Sequence, residues 1–218
     1  MDENSHNDLE QVRREYSLDQ LDESILPSDP MVLFGAWMER ARQSENPDPT
    51  AMTLSTVESN GQPSSRIVLL KKIEADRLVF YTNYHSRKAK EIRSRSRVAA
   101  HFYWPELERQ VKIAGMAGPL EDAESDHYFQ SRPLESQVTA WASPQSKVVP
   151  DRKYLENEYR KYQEKFKGSK VVPRPAFWGG FAIIPSRMEF WQGGLHRLHD
   201  RIEYTLKKKH WSRVRLAP

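Results

Sequence analysis

Basic and hydroxyl side chains gather between residues 66 and 90, where their order predicts an anion site. Two short runs rich in Ile, Val, Leu, Phe and Tyr, 67–70 and 78–81, predict a pair of antiparallel strands. A serine that is a good N-cap then opens a helix with a basic first turn, and free N–H groups there suit a phosphate. A solvated basic helix start would show the same residues. The candidate ligands are Arg66, Thr82, Ser86, Arg87 and Lys88.

A second cluster surrounds a break between two predicted helices. Tyr128 and Arg132 lie four residues apart on one helix face, and Ser136 follows in the first turn of the next helix. A cation, a hydroxyl and new helix N–H groups at one corner indicate a second phosphate pocket. Ordinary helix capping with polar surface residues explains the same pattern, so both interpretations stay open.

The densest polar segment is His196-Arg197-Leu198-His199-Asp200-Arg201. If it is extended, alternation sends Arg197, His199 and Arg201 to one side. The spacing of its two histidines could indicate a metal, but the chain has no cysteine, no third ligand is obvious, and two arginines stand beside them. Arginine forks onto oxyanions and stacks on rings, so the segment fits an anionic, planar ligand better.

Hydrophobic periodicity and turn residues predict the elements that would carry these clusters. Helices are predicted from Pro30, over 121–131, from Pro133 through Trp141, and from Pro150 to Gly168. Further strands are predicted over 51–57, 97–104, 109–118, 181–184, 188–191, 202–206 and 211–216. Successive strands joined by short turns favour a mainly β fold with flanking helices, closed as an antiparallel barrel. We expect a disordered tail over residues 1–11 and one domain over 12–218.

Composition narrows the function classes. The 34 basic residues are interspersed among 30 acidic ones, so the net charge of +4 gives little support for nucleic-acid binding. With no cysteines, disulfides and thiolate chemistry are excluded. No apolar run reaches membrane-spanning length, and the acidic N-terminus does not look like a signal peptide. We therefore expect a cytoplasmic protein without a membrane or nucleic-acid partner.

A series of short motifs resembles the pyridoxamine/pyridoxine 5′-phosphate oxidase family from about Arg13 to Pro218. In order they are RIVLLK, FYTN, SRKAKEI, LERQV, YFQSRPLESQ, SPQS, AFWGGF, EFWQGG, HRLHDR and RLAP. The resemblance implies an FMN-binding split β-barrel and a homodimer with FMN at the subunit interface. It also implies oxidation of pyridoxine or pyridoxamine 5′-phosphate by O₂ to pyridoxal 5′-phosphate, with release of hydrogen peroxide.

The resemblance also implies roles for individual residues. One subunit would contact FMN through Arg66, Ile67, Val68, Leu69, Leu70, Lys71, Tyr81, Thr82, Arg87 and Lys88. The other would contribute Gln110, Gln145, Ser146, Trp191 and Arg201. Substrate phosphate would bind to Lys71, Tyr128, Arg132 and Ser136, and an N-terminal arm would add Arg13 and Tyr16. Arg197 and His199 would be the catalytic pair that holds the substrate ring against the flavin, and no metal is implied.

Three other interpretations stay open from the sequence. A carrier of flavin or pyridoxal phosphate would use the same barrel, but it would not need a second, substrate-facing pocket. Another split-barrel oxidoreductase, such as a flavin reductase, would react with a nicotinamide. A basic β-barrel could instead bind single-stranded nucleic acid through its aromatic residues.

Overall fold

The computed structural model describes residues 14–218, so the predicted tail over 1–11 and Arg13 lie outside the described part of the chain. The predicted helices are confirmed, including the helix with a basic first turn that was predicted after Ser86. Side-chain caps explain three of the helix starts, since Asp29, Ser86 and Asp151 each accept a hydrogen bond from a backbone N–H of the first turn. The helices are α1 (Pro30–Arg42), α2 (Arg87–Ser94), α3 (Asp122–Ser131), α4 (Leu134–Ala142) and α5 (Arg152–Lys165).

A curled antiparallel sheet forms the body of the fold, so the predicted mainly β class with flanking helices is confirmed. Its strand order is β2-β1-β5-β6-β7-β4-β3, with β8 added to β7 and β9 to β8. The strands are β1 (Ala51–Val57), β2 (Pro63–Leu69), β3 (Lys72–Ile73), β4 (Leu78–Asn83), β5 (Arg97–Trp104), β6 (Arg109–Pro119), β7 (Trp178–Gln192), β8 (Asp200–Lys207) and β9 (His210–Arg215).

The predicted pairing of runs 67–70 and 78–81 is wrong. β2 instead pairs along its whole length with β1, because the short turn at Gly61 closes these two strands as a hairpin. The chain changes partner directly afterwards: the Leu70 N–H donates to Thr50, whereas the Lys71 N–H donates to Val79 of β4. The short β3 then completes the pairing with β4.

The two strands predicted over 181–184 and 188–191 are one continuous strand, β7. Ala114 pairs with Arg187 and Gly115 with Pro185, so a β-bulge leaves Ser186 unpaired and the proline does not interrupt the strand. β7 pairs with β4 at its start, with β8 at its end and with β6 along most of its length. It therefore connects the β4–β3 edge of the sheet to the β8–β9 hairpin.

Two apolar clusters hold these elements in place. In the main core, α1 lies across the sheet, and its fully buried Phe34 packs against Phe102 and Trp104 of β5. The second cluster joins α3, α4 and α5 to the start of β7, with Phe129 against Trp178. Burial of such large side chains contributes about 2 kcal/mol each. None of the helices within residues 14–218 has the length and apolar character needed to cross a lipid bilayer.

The β6–β7 bulge predicts a sharp difference between two glycines of β6. A Cβ at Gly115 would lie 2.2 Å from the Ile184 carbonyl oxygen, whereas a Cβ at Gly118 meets nothing within 4 Å. Gly115→Ala should therefore lower the free energy of unfolding by about 1–3 kcal/mol, because the backbone must shift. Urea unfolding at one protein concentration would measure this, with Gly118→Ala as the matched control. Equal stability of the two variants would contradict the packing at the bulge.

Candidate functional site

A cleft of about 570 Å³ lies between the β2 and β4 region and helices α3 and α4. It brings together the two anion clusters that the sequence presents separately. The predicted site residues that line it are Ile67, Val68, Leu69, Lys71, Tyr81, Thr82, Lys88, Tyr128, Arg132, Ser136 and Gln145. Its size falls in the range of small-molecule sites.

Lys88 supplies a buried cation on one side of the cleft. Its Nζ donates to Thr82 Oγ1 and to Gln145 Oε1, both at 3.2 Å, and neither partner carries a charge. Thr82 also donates to Gln145, at 3.0 Å. Burial, together with the nearby charge of Arg66, lowers the pKa of Lys88 to about 8. An oxyanion would favour the charged form, so this corner is built to receive one.

Gln145 lies in the same chain as Thr82 and Lys88, although the resemblance assigned it to the partner subunit. It follows α4 in the segment SPQS, and the Asn83 side chain donates to the carbonyl of Ser143 in that segment at 3.4 Å. The loop after α4 is thus held against the end of β4.

Arg66 lies behind the cleft and is absent from its lining. Its guanidinium donates to Glu91 at 3.0 Å and to the Leu54 carbonyl at 3.1 Å, and it also contacts Thr56. These contacts fix its side chain against α2. The buried Leu70 and the exposed Arg87 and Ser146, also predicted to contact FMN, are likewise absent from the lining.

The opposite wall of the cleft is aromatic. Tyr81 and Tyr128 stack with ring centroids 3.8 Å apart, and Trp178 stacks on Tyr81 at 5.4 Å. Burial raises the pKa of Tyr81 to about 12, so its hydroxyl stays protonated. Trp178 lines the cleft although no role was predicted for it; its position in the motif AFWGGF was the available signal.

Arg132 is the half-buried cation of this aromatic wall. Its Cζ lies 4.5 Å from the Trp178 ring centroid, and burial lowers its pKa. Within residues 14–218, its Nη1 is buried without a hydrogen-bond partner. An unsatisfied buried donor is costly, and an oxyanion in the cleft would satisfy it with a charge-assisted bond. Lys71, Tyr128 and Ser136 line the same cleft.

A second group of predicted residues lies together elsewhere in the chain, outside the cleft lining. Gln110, Trp191 and Arg201 are direct cross-strand neighbours on β6, β7 and β8, so they form one row on one face of the sheet. The His199 ring lies 4.7 Å from the Trp191 ring, and Tyr16 packs edge-on against both at 5.5 Å. We call these five residues the C-terminal row.

The predicted alternation of Arg197, His199 and Arg201 along one extended strand is wrong. Residues 195–197 form a turn in which His196 and Arg197 have positive φ values of 55° and 62°, and β8 begins only at Asp200. The turn leaves Arg197 exposed, while His199 Nδ1 accepts the Gly194 N–H at 3.1 Å. Burial and the charge of Arg197 lower the pKa of His199, which favours a neutral ring.

Comparisons with known proteins match nearly the whole described chain. The family model "Pyridoxamine 5'-phosphate oxidase" matches residues 38–166, and the model "Pyridoxine 5'-phosphate oxidase C-terminal dimerisation region" matches residues 178–218. The chain belongs to the pyridoxamine 5′-phosphate oxidase family. The expected resemblance is confirmed, and so is the expectation that the chain is an oxidoreductase.

Curated relatives match the sequence of this chain over almost their full length. A pyridoxine/pyridoxamine 5′-phosphate oxidase of Shewanella pealeana is 49% identical over 207 residues, covering 95% of this chain and 97% of the relative. One of Hydrogenovibrio crunogenus, numbered 2, is 48% identical over 210 residues, covering 96% and 98%.

Solved structures support the same fold. PhzG from Burkholderia lata 383, in complex with tetrahydrophenazine-1-carboxylic acid, has a TM-score of 0.87 at 30% identity, covering 93% of this chain and 100% of PhzG. An FMN-binding protein of Nostoc punctiforme, at 16% identity and a TM-score of 0.67, shares the fold over 92% of this chain and 100% of its own. The predicted split β-barrel is thereby confirmed.

The lowered pKa of Lys88 predicts how anion binding depends on pH. Sulfate keeps its charge across neutral and mildly alkaline pH, whereas free Lys88 loses its proton as the pH rises through about 8. Binding above that pH must take up a proton, so the contribution of Lys88 to sulfate affinity should fall about tenfold between pH 7 and pH 9. The sulfate-induced shift in thermal unfolding would measure this.

Two variants serve as controls for that measurement. Lys88→Arg keeps its charge and should remove the pH dependence, whereas Lys90→Gln, on the exposed side of the same helix, should behave like the unchanged protein. The same pH profile in Lys88→Arg as in the unchanged chain would refute the role of Lys88.

Proposed function

We propose that the protein is an FMN-dependent oxidase that converts pyridoxine 5′-phosphate and pyridoxamine 5′-phosphate to pyridoxal 5′-phosphate. Pyridoxine 5′-phosphate and O₂ would give pyridoxal 5′-phosphate and hydrogen peroxide. The amine would also consume one water and release ammonia. The 49% identity to oxidases of this name over nearly the full chain supports the reaction class.

The cleft fits the chemistry of a flavin phosphate and of a substrate phosphate. Each has a cation available: the buried Lys88 is hydrogen-bonded only to neutral partners among the described residues, and the half-buried Arg132 has a buried, unsatisfied Nη1. We assign Lys88 with Thr82 to FMN, and Arg132 with Lys71, Tyr128 and Ser136 to the substrate. The apolar part of the cleft wall comes from residues 67–69 and Tyr81.

The observation that carries the proposal is the separation of the site into two parts within one chain. The cleft contains both anion-binding corners, while the C-terminal row contains His199, Trp191 and Arg201, none of which lines the cleft. The C-terminal row lies mostly within residues 178–218, which match a dimerisation region. We infer that each active site joins the cleft of one subunit to the C-terminal row of the other, with FMN at the interface.

Lys88 and Thr82 would hold FMN, which would supply the capacity for two-electron transfer between the substrate and O₂. The protein's contribution is orientation, because clamping the phosphate at Arg132 and its neighbours makes the transfer effectively unimolecular. Arg197 would cover the substrate ring from its exposed turn. His199, whose Nδ1 accepts a backbone N–H, would offer Nε2–H to a ring substituent. The cations of the site would stabilise negative charge that develops during the reaction.

The direct test is to purify the protein, record its absorption spectrum and add pyridoxine 5′-phosphate in air. We expect a flavin spectrum, one peroxide for each aldehyde formed, and loss of activity when the FMN is removed. Bound flavin without peroxide would favour a carrier, and turnover only with a nicotinamide would favour a flavin reductase. A colourless preparation that stays inert after FMN is added would refute the proposal.

A mixing experiment tests the shared site. Arg132→Ala damages the cleft, and His199→Ala damages the C-terminal row, so each variant alone should be almost inactive. After unfolding and refolding together, half of the dimers would be mixed, and each mixed dimer would contain one intact site. Activity should then recover to about a quarter of the unchanged protein. No recovery, with mixed dimers demonstrated by mass spectrometry, would place both residues in one subunit's site.

The remaining expectations stay predictions. A cytoplasmic location and the lack of a nucleic-acid partner follow from composition, and the division into a tail and one domain follows from patterning. Salt-dependent binding to an oligonucleotide would contradict the expected lack of a nucleic-acid partner.

A further inference from the structure

An N-terminal arm, residues 14–18, lies against the turn between β5 and β6. One side chain of that turn receives most of its polar contacts. The Glu108 carboxylate accepts the backbone N–H of Ser17 at 2.8 Å and that of Leu18 at 3.1 Å, and the Arg14 guanidinium at 3.3 Å. Glu108 is only 3% exposed, so these bonds are shielded from water.

The arm has little apolar burial of its own. Leu18 is 59% exposed, and Arg14, Glu15 and Ser17 are exposed as well. Tyr16 is the exception, with its ring against Trp191 and His199. The next anchors along the chain come later, where Asp19 pairs with Arg109 at 2.6 Å and the Leu21 N–H donates to Asp200. Residues 14–18 therefore depend on Glu108 for their attachment.

The same turn is tied to the strand end beside His199. The Glu108 carbonyl accepts the Gly193 N–H at 2.8 Å and the Gln192 side chain at 3.3 Å. Gly193 also makes room for the arm, since a Cβ there would lie 2.7 Å from the Cβ of Tyr16. Glu108 thus contacts both the arm and the segment on which Tyr16 rests.

Glu108 has an unusual backbone conformation for a residue with a side chain. Its φ of 55° lies in the left-handed region, which glycine adopts with less strain. A role confined to shaping the turn would be met as well or better by glycine. The carboxylate at this position therefore points to its contacts with the arm.

We propose that Glu108 is a positioning residue that latches the N-terminal arm and thereby holds Tyr16 over His199 and Trp191. The carboxylate acts through Tyr16 and does not itself touch the reacting atoms. The attachment of the arm by Glu108 does not depend on which reaction the protein catalyses. The effect of Glu108 on turnover does rest on the proposed function.

Limited proteolysis tests the latch without any assay of activity. Trypsin can cut after Arg14 only when the arm leaves the sheet, so the cleavage rate reports the open population. In Glu108→Gln, the position that accepts two backbone N–H groups is taken by an NH₂ group or by a weaker acceptor oxygen. Glu108→Gly removes the carboxylate and also removes the strain of a positive φ. Both variants should be cleaved about tenfold faster or more.

A neighbouring residue gives a matched control. Glu106 lies in the same turn and accepts a bond from Ser44, not from the arm, so Glu106→Gln should be cleaved at the unchanged rate. Cleavage of both Glu108 variants at that same unchanged rate would overturn the latch. Because Glu108→Gly should keep or raise the stability of the turn, faster cleavage in that variant cannot be attributed to misfolding of the turn.

A double-mutant cycle tests the connection to catalysis in the FMN-loaded protein. We expect Tyr16→Ala and Glu108→Gln each to lower kcat/KM for pyridoxine 5′-phosphate, with no change in FMN content. The double variant should lose no more than Tyr16→Ala alone, because the latch acts through that ring. Losses that multiply would show that Glu108 does not act through Tyr16. If the unchanged protein has no oxidase activity, the proposed function fails while the proteolysis result still decides the latch.

Discussion

Two cations that face the same cleft, the buried Lys88 and the half-buried Arg132, are the constraint on which the rest of the site depends. Lys88 lies on α2 and Arg132 directly after α3, and burial lowers the pKa of each. A fold that buries charge without a carboxylate partner is stable only if the groups find other partners or a ligand. Lys88 has two neutral acceptors, whereas Arg132 has the Trp178 ring and an unsatisfied donor. The arrangement is one that an anionic ligand would complete.

The sheet fixes where these cations can be. β4 ends at Thr82 and Asn83, directly opposite Gly179 and Trp178 of β7, so the end of one strand and the start of the other meet at the cleft. The same β7 continues through the bulge to Trp191, beside Gln110 and Arg201. One long strand therefore carries a wall of the cleft at its beginning and the C-terminal row at its end. A rise of about 3.3 Å per residue keeps the two far apart in one chain.

Local chemistry made much of this predictable. Caps at Asp29, Ser86 and Asp151 and the hairpin turn at Gly61 lie where residue type alone indicates, because their signals act within a few residues. The pairing of β2, the continuity of β7 through Pro185 and the turn at His196 were mispredicted, because each depends on a partner distant in sequence or on a backbone bend that alternation cannot reveal. In the same way Trp178 was missed as a site residue, since its stacking partners come from β4 and α3.

The distance between the cleft and the C-terminal row also explains why the arm matters. A site assembled from two surfaces, as proposed, would need something to exclude water along their junction, and the turn at Arg197 is exposed. Tyr16 contributes an aromatic face at that position, but a short exposed segment has too little apolar contact to stay there. A buried carboxylate that accepts two backbone N–H groups supplies directional attachment while leaving the ring free to pack. If the site is divided between two subunits as proposed, Glu108 would hold the arm where that division needs it.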